Sequence, residues 1–174
     1  MRDLVLKLSY ALGWLSRLSL WLSGLGLCLM TAAVSWQVFG RFVLNDSPTW
    51  TSNGSVLIMS WFILLGAAVG IREGNHLSFD VLLYLLGPRS KALLHTLSDL
   101  VVATFGIGMI VYGWKLAANN WTTTIPNIGI TGSFTYMALI WGGVLMALFS
   151  TERILRRLAG LTTARFGETD LIED

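Results

Sequence analysis

The 174-residue sequence is 54% hydrophobic and only 13% charged, with a mean hydropathy of +0.65 and a formal net charge of +2. Soluble domains carry about a quarter charged residues, and a chain this small has too much surface to bury so many apolar side chains in water. The composition therefore excludes an ordinary soluble domain, and the single cysteine, Cys28, excludes a disulfide within the chain.

Four apolar stretches are long enough to cross a bilayer, whose hydrocarbon layer of about 30 Å needs about 20 helical residues. They are residues 18–43, 55–71, 93–114 and 134–150. The first stretch exceeds the apolar core of a signal peptide, which has about 7–15 residues, so we interpret it as a retained helix. The sequence predicts an all-α integral membrane protein with four transmembrane helices.

Two shorter segments have the pattern of amphipathic helices that lie on a membrane surface. Residues 4–15 place leucine and alanine at helical spacing, so we predict an interfacial helix within residues 1–17. Residues 76–87, between the second and third spans, are too short to cross and predict a second surface helix. Residues 162–174 are polar and acidic and predict a loose tail. The whole chain is thus interpreted as a single membrane domain.

Basic residues are distributed unevenly about the predicted spans. Ten of the 12 precede the first span, lie between the second and third, or follow the fourth, whereas only Arg41 and Lys115 lie on the opposite side. Because Lys and Arg are in excess on the cytoplasmic side, we expect both termini to be cytoplasmic. Four tryptophans fall near the opposite boundary, where indole rings prefer to lie: Trp36, Trp50, Trp114 and Trp121.

Ionisable residues that could do chemistry inside the membrane are scarce. Asp99, one helical turn after His95, is the only deep carboxylate, and a proton relay would need further ionisable groups across the bilayer. We therefore expect Asp99 to hydrogen-bond a neighbouring helix or a lipid. His76 lies beyond the end of the second span, so a haem held by His76 and His95 is not favoured. No catalytic residue, cofactor or metal ligand is predicted.

Small and aromatic residues within the spans indicate helix packing. Gly66 and Gly70 form a small-xxx-small pattern in the second span, which allows close approach of another helix from this chain or from a partner. Trp61 and Trp141 lie in mid-span, away from the interfacial belt. Because each indole N–H needs a hydrogen-bond acceptor, we expect both rings to face protein rather than lipid.

Three segments, in this order, carry a resemblance to a known family: Gly40–Trp50, Trp61–Ala68 and Arg72–Asp80. The sequence resembles the small permease, or DctQ-type, subunits of tripartite ATP-independent periplasmic (TRAP) transporters, most specifically between Trp61 and Asp80. It departs from that family at 51–54, where acidic residues are common and this chain has Thr-Ser-Asn-Gly. It also has Ile140 where the family often has proline.

The resemblance implies a non-catalytic subunit of a sodium-driven transporter that takes up organic acids across a bacterial or archaeal inner membrane. It implies two protein partners, a large membrane subunit that carries the solute and sodium sites and a periplasmic solute-binding protein. The small subunit would support the scaffold of the large one. We expect membrane lipids as further partners and no nucleic acid.

Nine residues are the resulting candidates for contact with the partner subunit or with lipid. Arg41 would reach lipid phosphate or the partner, and Arg72, His76 and Asp80 would fix the turn into the second surface helix. The full set is Arg41, Trp50, Trp61, Gly66, Gly70, Arg72, His76, Asp80 and Asp99.

Two other classes of function stay open from the sequence alone. A membrane-anchor subunit of a redox enzyme would use His76 and His95, and its haem would be visible in an absorption spectrum. An autonomous small transporter would act as a homo-oligomer and would move solute without any other chain, although the scarcity of intramembrane ionisable groups argues against it.

Overall fold

A computed structural model describes residues 2–46, 48–74 and 88–159. Within these ranges the chain forms four α-helices, which are α1 (Arg2–Phe42), α2 (Thr49–Glu73), α3 (Pro88–Asn119) and α4 (Ser133–Leu158). Each contains a stretch that is long and apolar enough to cross a membrane. The predicted all-α architecture with four membrane-spanning helices is confirmed, one helix for each predicted span.

Consecutive helices run antiparallel, so the bundle has two distinct ends. The first turns of α1 lie beside the last turn of α2, where Arg72 Nη2 donates to the Ser9 carbonyl at 3.4 Å. At the other end, Ser133 Oγ on α4 donates to the Ala117 carbonyl on α3 at 2.6 Å. We call the first the charged end and the second, which carries residues 43–46 and the loop 120–132, the loop end.

The helices pack in the spatial order α1, α2, α4, α3, with α2 and α4 in the centre. In the most apolar stretch of α4, 39% of the residues are buried within this chain, against 6% in α1. The core combines residues from all four helices: Leu12, Ala68, Ile71, Met109, Leu145, Met146 and Phe149. The outer helices α1 and α3 therefore direct most of their apolar surface away from the bundle.

The inward face of α1 follows a regular series that we call the α1 seam. Its buried or partly buried positions alternate in steps of four and three: Val5, Ser9, Leu12, Ser16, Ser19, Ser23, Gly26, Met30, Ala33, Gln37 and Gly40. This 3.5-residue period keeps one stripe against a neighbouring helix, as in a left-handed coiled coil. At its centre, Ser23 Oγ donates to the Phe62 carbonyl on α2 at 2.8 Å.

The α1 seam bears directly on the interfacial helix expected within residues 1–17. That segment continues into the span without a break, and Ser9, Leu12 and Ser16 face the bundle in the same register as Ser23. A separate N-terminal surface helix is therefore not confirmed. The leucines that suggested a membrane surface instead alternate with serines that pack against α2 and α4, because serine is small enough for close helix contact.

Glycines set the closest approach between α3 and α4. A Cβ atom at Gly143 would lie 2.6 Å from the Gly106 carbonyl oxygen, and one at Gly106 would lie 2.8 Å from the Gly143 oxygen. Next to this crossing, a Cβ atom at Gly142 would lie 2.8 Å from Leu64 Cβ on α2. Side chains of any size are excluded at these positions, so the helix backbones approach each other directly.

Several predictions concern residues outside the described ranges. The surface helix at 76–87, the tail at 162–174, and both His76 and Asp80 lie there, so these stay predictions. Trp141, which was expected to face protein, is 55% exposed on α4. Its ring is directed away from this bundle, because the adjacent glycines, and not the indole, occupy the contacts with α2 and α3.

Candidate functional site

Six charged side chains gather at the charged end, where all four helices meet. We call them the ionic cluster: Arg72 on α2, Asp99 on α3, and Glu152, Arg153, Arg156 and Arg157 on α4. The four residues of α4 recur at the spacing of one helical turn, so they present charge to both α2 and α3. Because charge is costly within a membrane protein, such groups are expected to be paired, and the geometry shows this in detail.

Arg153 is the centre of the ionic cluster. Its Nε donates to Asp99 Oδ1 at 3.1 Å, and its Nη1 donates to the carbonyl oxygens of Ile71 at 3.1 Å and Arg72 at 3.0 Å. The last carbonyls of a helix lack partners from its regular hydrogen-bonding pattern, and Arg153 supplies additional donors to two of them at the end of α2. One side chain of α4 thus joins α2 to α3.

Gly74 makes room for this contact at the end of α2. Its φ of 80° lies in the left-handed region, which favours glycine, and its N–H caps the helix by donating to the Gly70 and Ile71 carbonyls. A Cβ atom at Gly74 would lie only 2.9 Å from Arg153 Nη1. The glycine therefore serves both the backbone turn and the approach of the guanidinium.

Asp99 is bound by a second arginine in addition to Arg153. Arg157 Nη2 lies 2.7 Å from Asp99 Oδ2, while Arg157 Nη1 donates to Thr96 Oγ1 at 2.9 Å. The side chain of Asp99 has no exposed surface. As the sequence led us to expect, this carboxylate bonds to a neighbouring helix, and the described partners are the two arginines of α4.

Arg72 extends the ionic cluster to α1. Its Nε lies 3.2 Å from Glu152 Oε2, its Nη2 donates to the Ser9 carbonyl, and its guanidinium carbon lies 6.0 Å from the centre of the Phe149 ring. The sequence paired Arg72 with His76 and Asp80, which lie outside the described residues. That part of the prediction is therefore untested. The described partners of Arg72 tie α2 to α4 and α1, so the ionic cluster connects all four helices.

Sequence reasoning missed the four residues of α4, Glu152, Arg153, Arg156 and Arg157, as site residues. The fourth span was predicted to end at residue 150, just before this charged stretch. The signal that could have identified them is helical spacing: residues 152, 153, 156 and 157 share one side of α4, and the deep carboxylate Asp99 required a cation. Pairing lets α4 stay helical and buried past the charged boundary.

The candidate residues near the loop end are outward-facing. Arg41 is exposed in the last turn of α1, and Trp50 is 51% exposed in the first turn of α2. The ring of Trp50 lies under Gly54, whose Cβ position is 3.6 Å away. Both side chains therefore remain accessible to a lipid or to another protein.

Three candidates lie within α2: Gly66 faces α1, Gly70 faces away from the described neighbours, and Trp61 packs on another aromatic ring. A Cβ atom at Gly66 would lie 2.7 Å from Ser23 Oγ, so this glycine admits α1. At Gly70, a Cβ atom would meet nothing within 4 Å among the described atoms. Trp61 packs on Phe134 with ring centres 5.3 Å apart, and its buried Nε1 has no hydrogen-bond partner among the described residues.

The loop between α3 and α4 is folded onto the start of α2. Its ends are joined by backbone bonds from Ile125 N to Ile130 O at 2.7 Å and from Gly132 N to Thr123 O at 2.6 Å. Asn53 Nδ2 then donates to the Pro126 carbonyl at 2.9 Å. We call this amide contact the loop clamp. It lies within residues 51–54, where the sequence departs from the family it resembles by having no acidic residue.

Residues 30–160 match the family model described as tripartite ATP-independent periplasmic transporters, DctQ component. The chain is 26% identical over 139 residues to the sialic acid TRAP transporter small permease protein SiaQ of Vibrio cholerae serotype O1, covering 78% of this chain and 80% of the relative. It is 27% identical over 86 residues to the C4-dicarboxylate TRAP transporter small permease protein DctQ of that organism, covering 49% and 37%. A relative from Haemophilus influenzae with a TRAP small permease name is 26% identical over 129 residues, covering 74% and 80%.

Proposed function

The chain belongs to the DctQ family of tripartite ATP-independent periplasmic transporters, and from this premise we propose that it is the non-catalytic small subunit of a sodium-driven transporter for organic acids. It is a multi-pass membrane protein and a small membrane subunit of a transporter. The proposal adds the energy source, the solute class, and a role in supporting the scaffold of a large transport subunit. The observation that carries it is the family match over residues 30–160.

The distribution of charged residues favours a scaffold role for this chain over a solute path through it. Residues 18–40, 51–71, 100–114 and 133–151 contain no Asp, Glu, Lys or Arg. The deeper charges of the ionic cluster bind one another and the end of α2, and the crossing of α3 and α4 is closed by direct backbone contact at Gly106 and Gly143. Solute and sodium would therefore bind in the large subunit.

The outward faces of the outer helices support lateral association. Only 6% of the most apolar stretch of α1 and 17% of that of α3 are buried within the chain. Apolar surface of this extent needs lipid or another membrane protein to cover it. We propose that the large subunit covers part of it, and that Arg41, Trp50 and Gly70, which point outward, lie at or near that contact.

Organic acids are proposed because two relatives carry names with acidic solutes, sialic acid and C4-dicarboxylates. The excess of basic residues at the charged end supports the further proposal that this end lies in the cytoplasm of a bacterial or archaeal cell. The loop end then faces the periplasm, where a solute-binding protein would dock against the loop 120–132 and the start of α2.

The test is uptake into proteoliposomes that contain the large subunit and the binding protein encoded beside this gene, with and without this chain. Sialic acid and C4-dicarboxylates are supplied under a sodium gradient, and a matched potassium gradient serves as the control. We expect uptake only with sodium and only when all three proteins are present. Uptake that is unchanged without this chain, or uptake by this chain alone, would contradict the proposal.

A further inference from the structure

The outward face of α3 carries an apolar groove that the contacts among the described residues leave open. It runs from Leu100 to Tyr112 along α3, is bounded on one side by Leu139 of α4, and has a volume of about 650 Å³. Gly108 forms its floor, since a Cβ atom there would meet nothing within 4 Å. The hydroxyl of Thr104 donates to the Leu100 carbonyl at 2.9 Å, so this lining residue offers the groove no free donor.

The length of the groove fits one leaflet of a bilayer. Leu100 and Tyr112 are 12 positions apart, which is about 18 Å along a helix, and half of a hydrocarbon layer is about 15 Å deep. Trp114 and Lys115 follow directly and mark the headgroup level at the loop end. A second transmembrane helix would contact α3 across both leaflets, whereas this groove covers only the leaflet at the loop end.

A basic residue, Lys115, lies beside the end of the groove. Lys115 Nζ is 5.5 Å from the centre of the Tyr112 ring, and both side chains are exposed. Among the described residues no carboxylate pairs with Lys115, so its ammonium group is available to an anion from the headgroup layer. An apolar groove one leaflet deep with a cation at its mouth has the shape and charge of a phospholipid.

We propose that this groove holds one acyl chain of a phospholipid in the loop-end leaflet, with the lipid phosphate bound by Lys115 beside Tyr112. Two features together distinguish this site from the rest of the lipid-facing surface. They are the depression above Gly108 and the ammonium group of Lys115, which pairs with no carboxylate among the described residues. Neither the transport role nor the direction in which the chain crosses the membrane enters this inference.

The binding test uses the full chain, purified in mild detergent and stripped of lipid. Long-chain phosphatidylglycerol, phosphatidylcholine and the soluble headgroup glycerophosphoglycerol are titrated separately and counted by native mass spectrometry. We expect one phosphatidylglycerol per chain at low concentration, weaker phosphatidylcholine binding because its headgroup has no net charge, and no binding of the soluble headgroup. Equal binding of the soluble headgroup would show a surface phosphate site, and not the groove, and would overturn the proposal.

Matched glycine variants test the acyl-chain part of the site. Gly108→Leu fills the groove and should weaken binding about tenfold, the effect expected when roughly two methylenes lose their burial. Gly24→Leu is the control, because Gly24 on α1 is also a helical glycine with no described atom within 4 Å of its Cβ position. Retention of lipid by Gly108→Leu, or an equal loss in Gly24→Leu, would contradict the assignment.

Matched cation variants test the headgroup part. Lys115→Gln should weaken phosphatidylglycerol binding about fivefold, the contribution of one basic side chain at an anionic lipid surface. Arg17→Gln is the control, since Arg17 is likewise exposed but lies on α1 toward the charged end, away from this groove. In a Cys28→Ser background, Gly108→Cys tests for a protein occupant. Efficient crosslinking of this thiol to the large subunit would show that a protein helix fills the groove, and would overturn the lipid proposal.

Discussion

Arg153 Nε on α4 lies 3.1 Å from Asp99 Oδ1 on α3, with the Asp99 side chain fully buried and that of Arg153 only 6% exposed. The same guanidinium caps the last carbonyls of α2 at Ile71 and Arg72. A buried charge pair contributes less to stability than its Coulomb energy suggests, but leaving one partner unpaired is severely destabilising. The pair therefore fixes how α2, α3 and α4 meet, and its loss should be felt throughout the bundle.

Asp99→Asn tests this junction. The substitution leaves Arg153 and Arg157 without their shared carboxylate, so we expect the free energy of unfolding to fall by about 3–5 kcal/mol. Denaturant unfolding of the purified chain in detergent micelles measures the change. Arg17→Gln is the control, because Arg17 is exposed on α1 without a described ion pair, and it should change stability by less than about 0.5 kcal/mol. Similar effects for the two variants would show that the ionic cluster does not hold the helices.

The α3–α4 crossing predicts opposite results for two glycines. Gly143→Ala places a Cβ atom 2.6 Å from the Gly106 carbonyl oxygen, where the backbone must move, so we expect a loss of about 1–3 kcal/mol. Gly108→Ala meets nothing within 4 Å and should be neutral or stabilise α3 by up to about 1 kcal/mol, because alanine favours helix. The comparison uses the same unfolding assay, and a destabilising Gly108→Ala would show that the outer face of α3 is more crowded than described.

Comparing Gly74, at the end of α2, with Gly129, in the loop 120–132, separates the cost of backbone strain from the cost of a lost side-chain contact. Gly74 has φ 80° and Gly129 has φ 76°, so alanine at either position costs about 1–2 kcal/mol of backbone strain. Only at Gly74 does the new Cβ atom also displace Arg153 Nη1. We expect Gly74→Ala to destabilise the chain by a further 1.5–3 kcal/mol or so, the value of a hydrogen bond to a charged group. Equal losses in thermal unfolding would mean that Arg153 adjusts freely.

The four helices could be predicted because the length of an apolar run is a sufficient signal for a membrane span. The first 17 residues show where this signal ends. Leu4 and Leu8 suggested a surface helix, whereas Ser9 and Ser16, which follow them, belong to the α1 seam and face the bundle. Hydropathy scores serine as polar, but in a membrane protein its small size makes it a packing residue.

The candidate site was predictable only in part, for a related reason. The charge of Asp99 and its need for a partner follow from the sequence, but the identity of the partner depends on which turn of α4 faces α3. Gly66 and Gly70 look equivalent in sequence, and only the position of α1 makes one a contact and leaves the other open. Long-range geometry of this kind is set by packing, which local spacing does not determine.

Breaking the loop clamp should have a small effect on the stability of the chain and a larger effect on transport. Asn53→Ala removes the hydrogen bond from the Asn53 amide to the Pro126 carbonyl. Because this bond is exposed, the free energy of unfolding should fall only slightly, by about 0.5–1.5 kcal/mol. If the binding protein docks on this loop, as proposed, the apparent KM for solute-loaded binding protein in reconstituted uptake should rise about threefold to tenfold, since tenfold corresponds to about 1.4 kcal/mol.

Asn119→Ala is the matched control for the loop clamp, because Asn119 is an exposed asparagine at the loop end of α3 with no described hydrogen bond from its side chain. It should leave both stability and uptake unchanged. A raised KM in Asn53→Ala alone would support docking at the loop end, since a folded bundle with a displaced loop would then bind its partner less well. An unchanged KM in both variants would instead mean that the loop 120–132 takes no part in docking, and the contact with the binding protein would have to be sought on another surface of the complex.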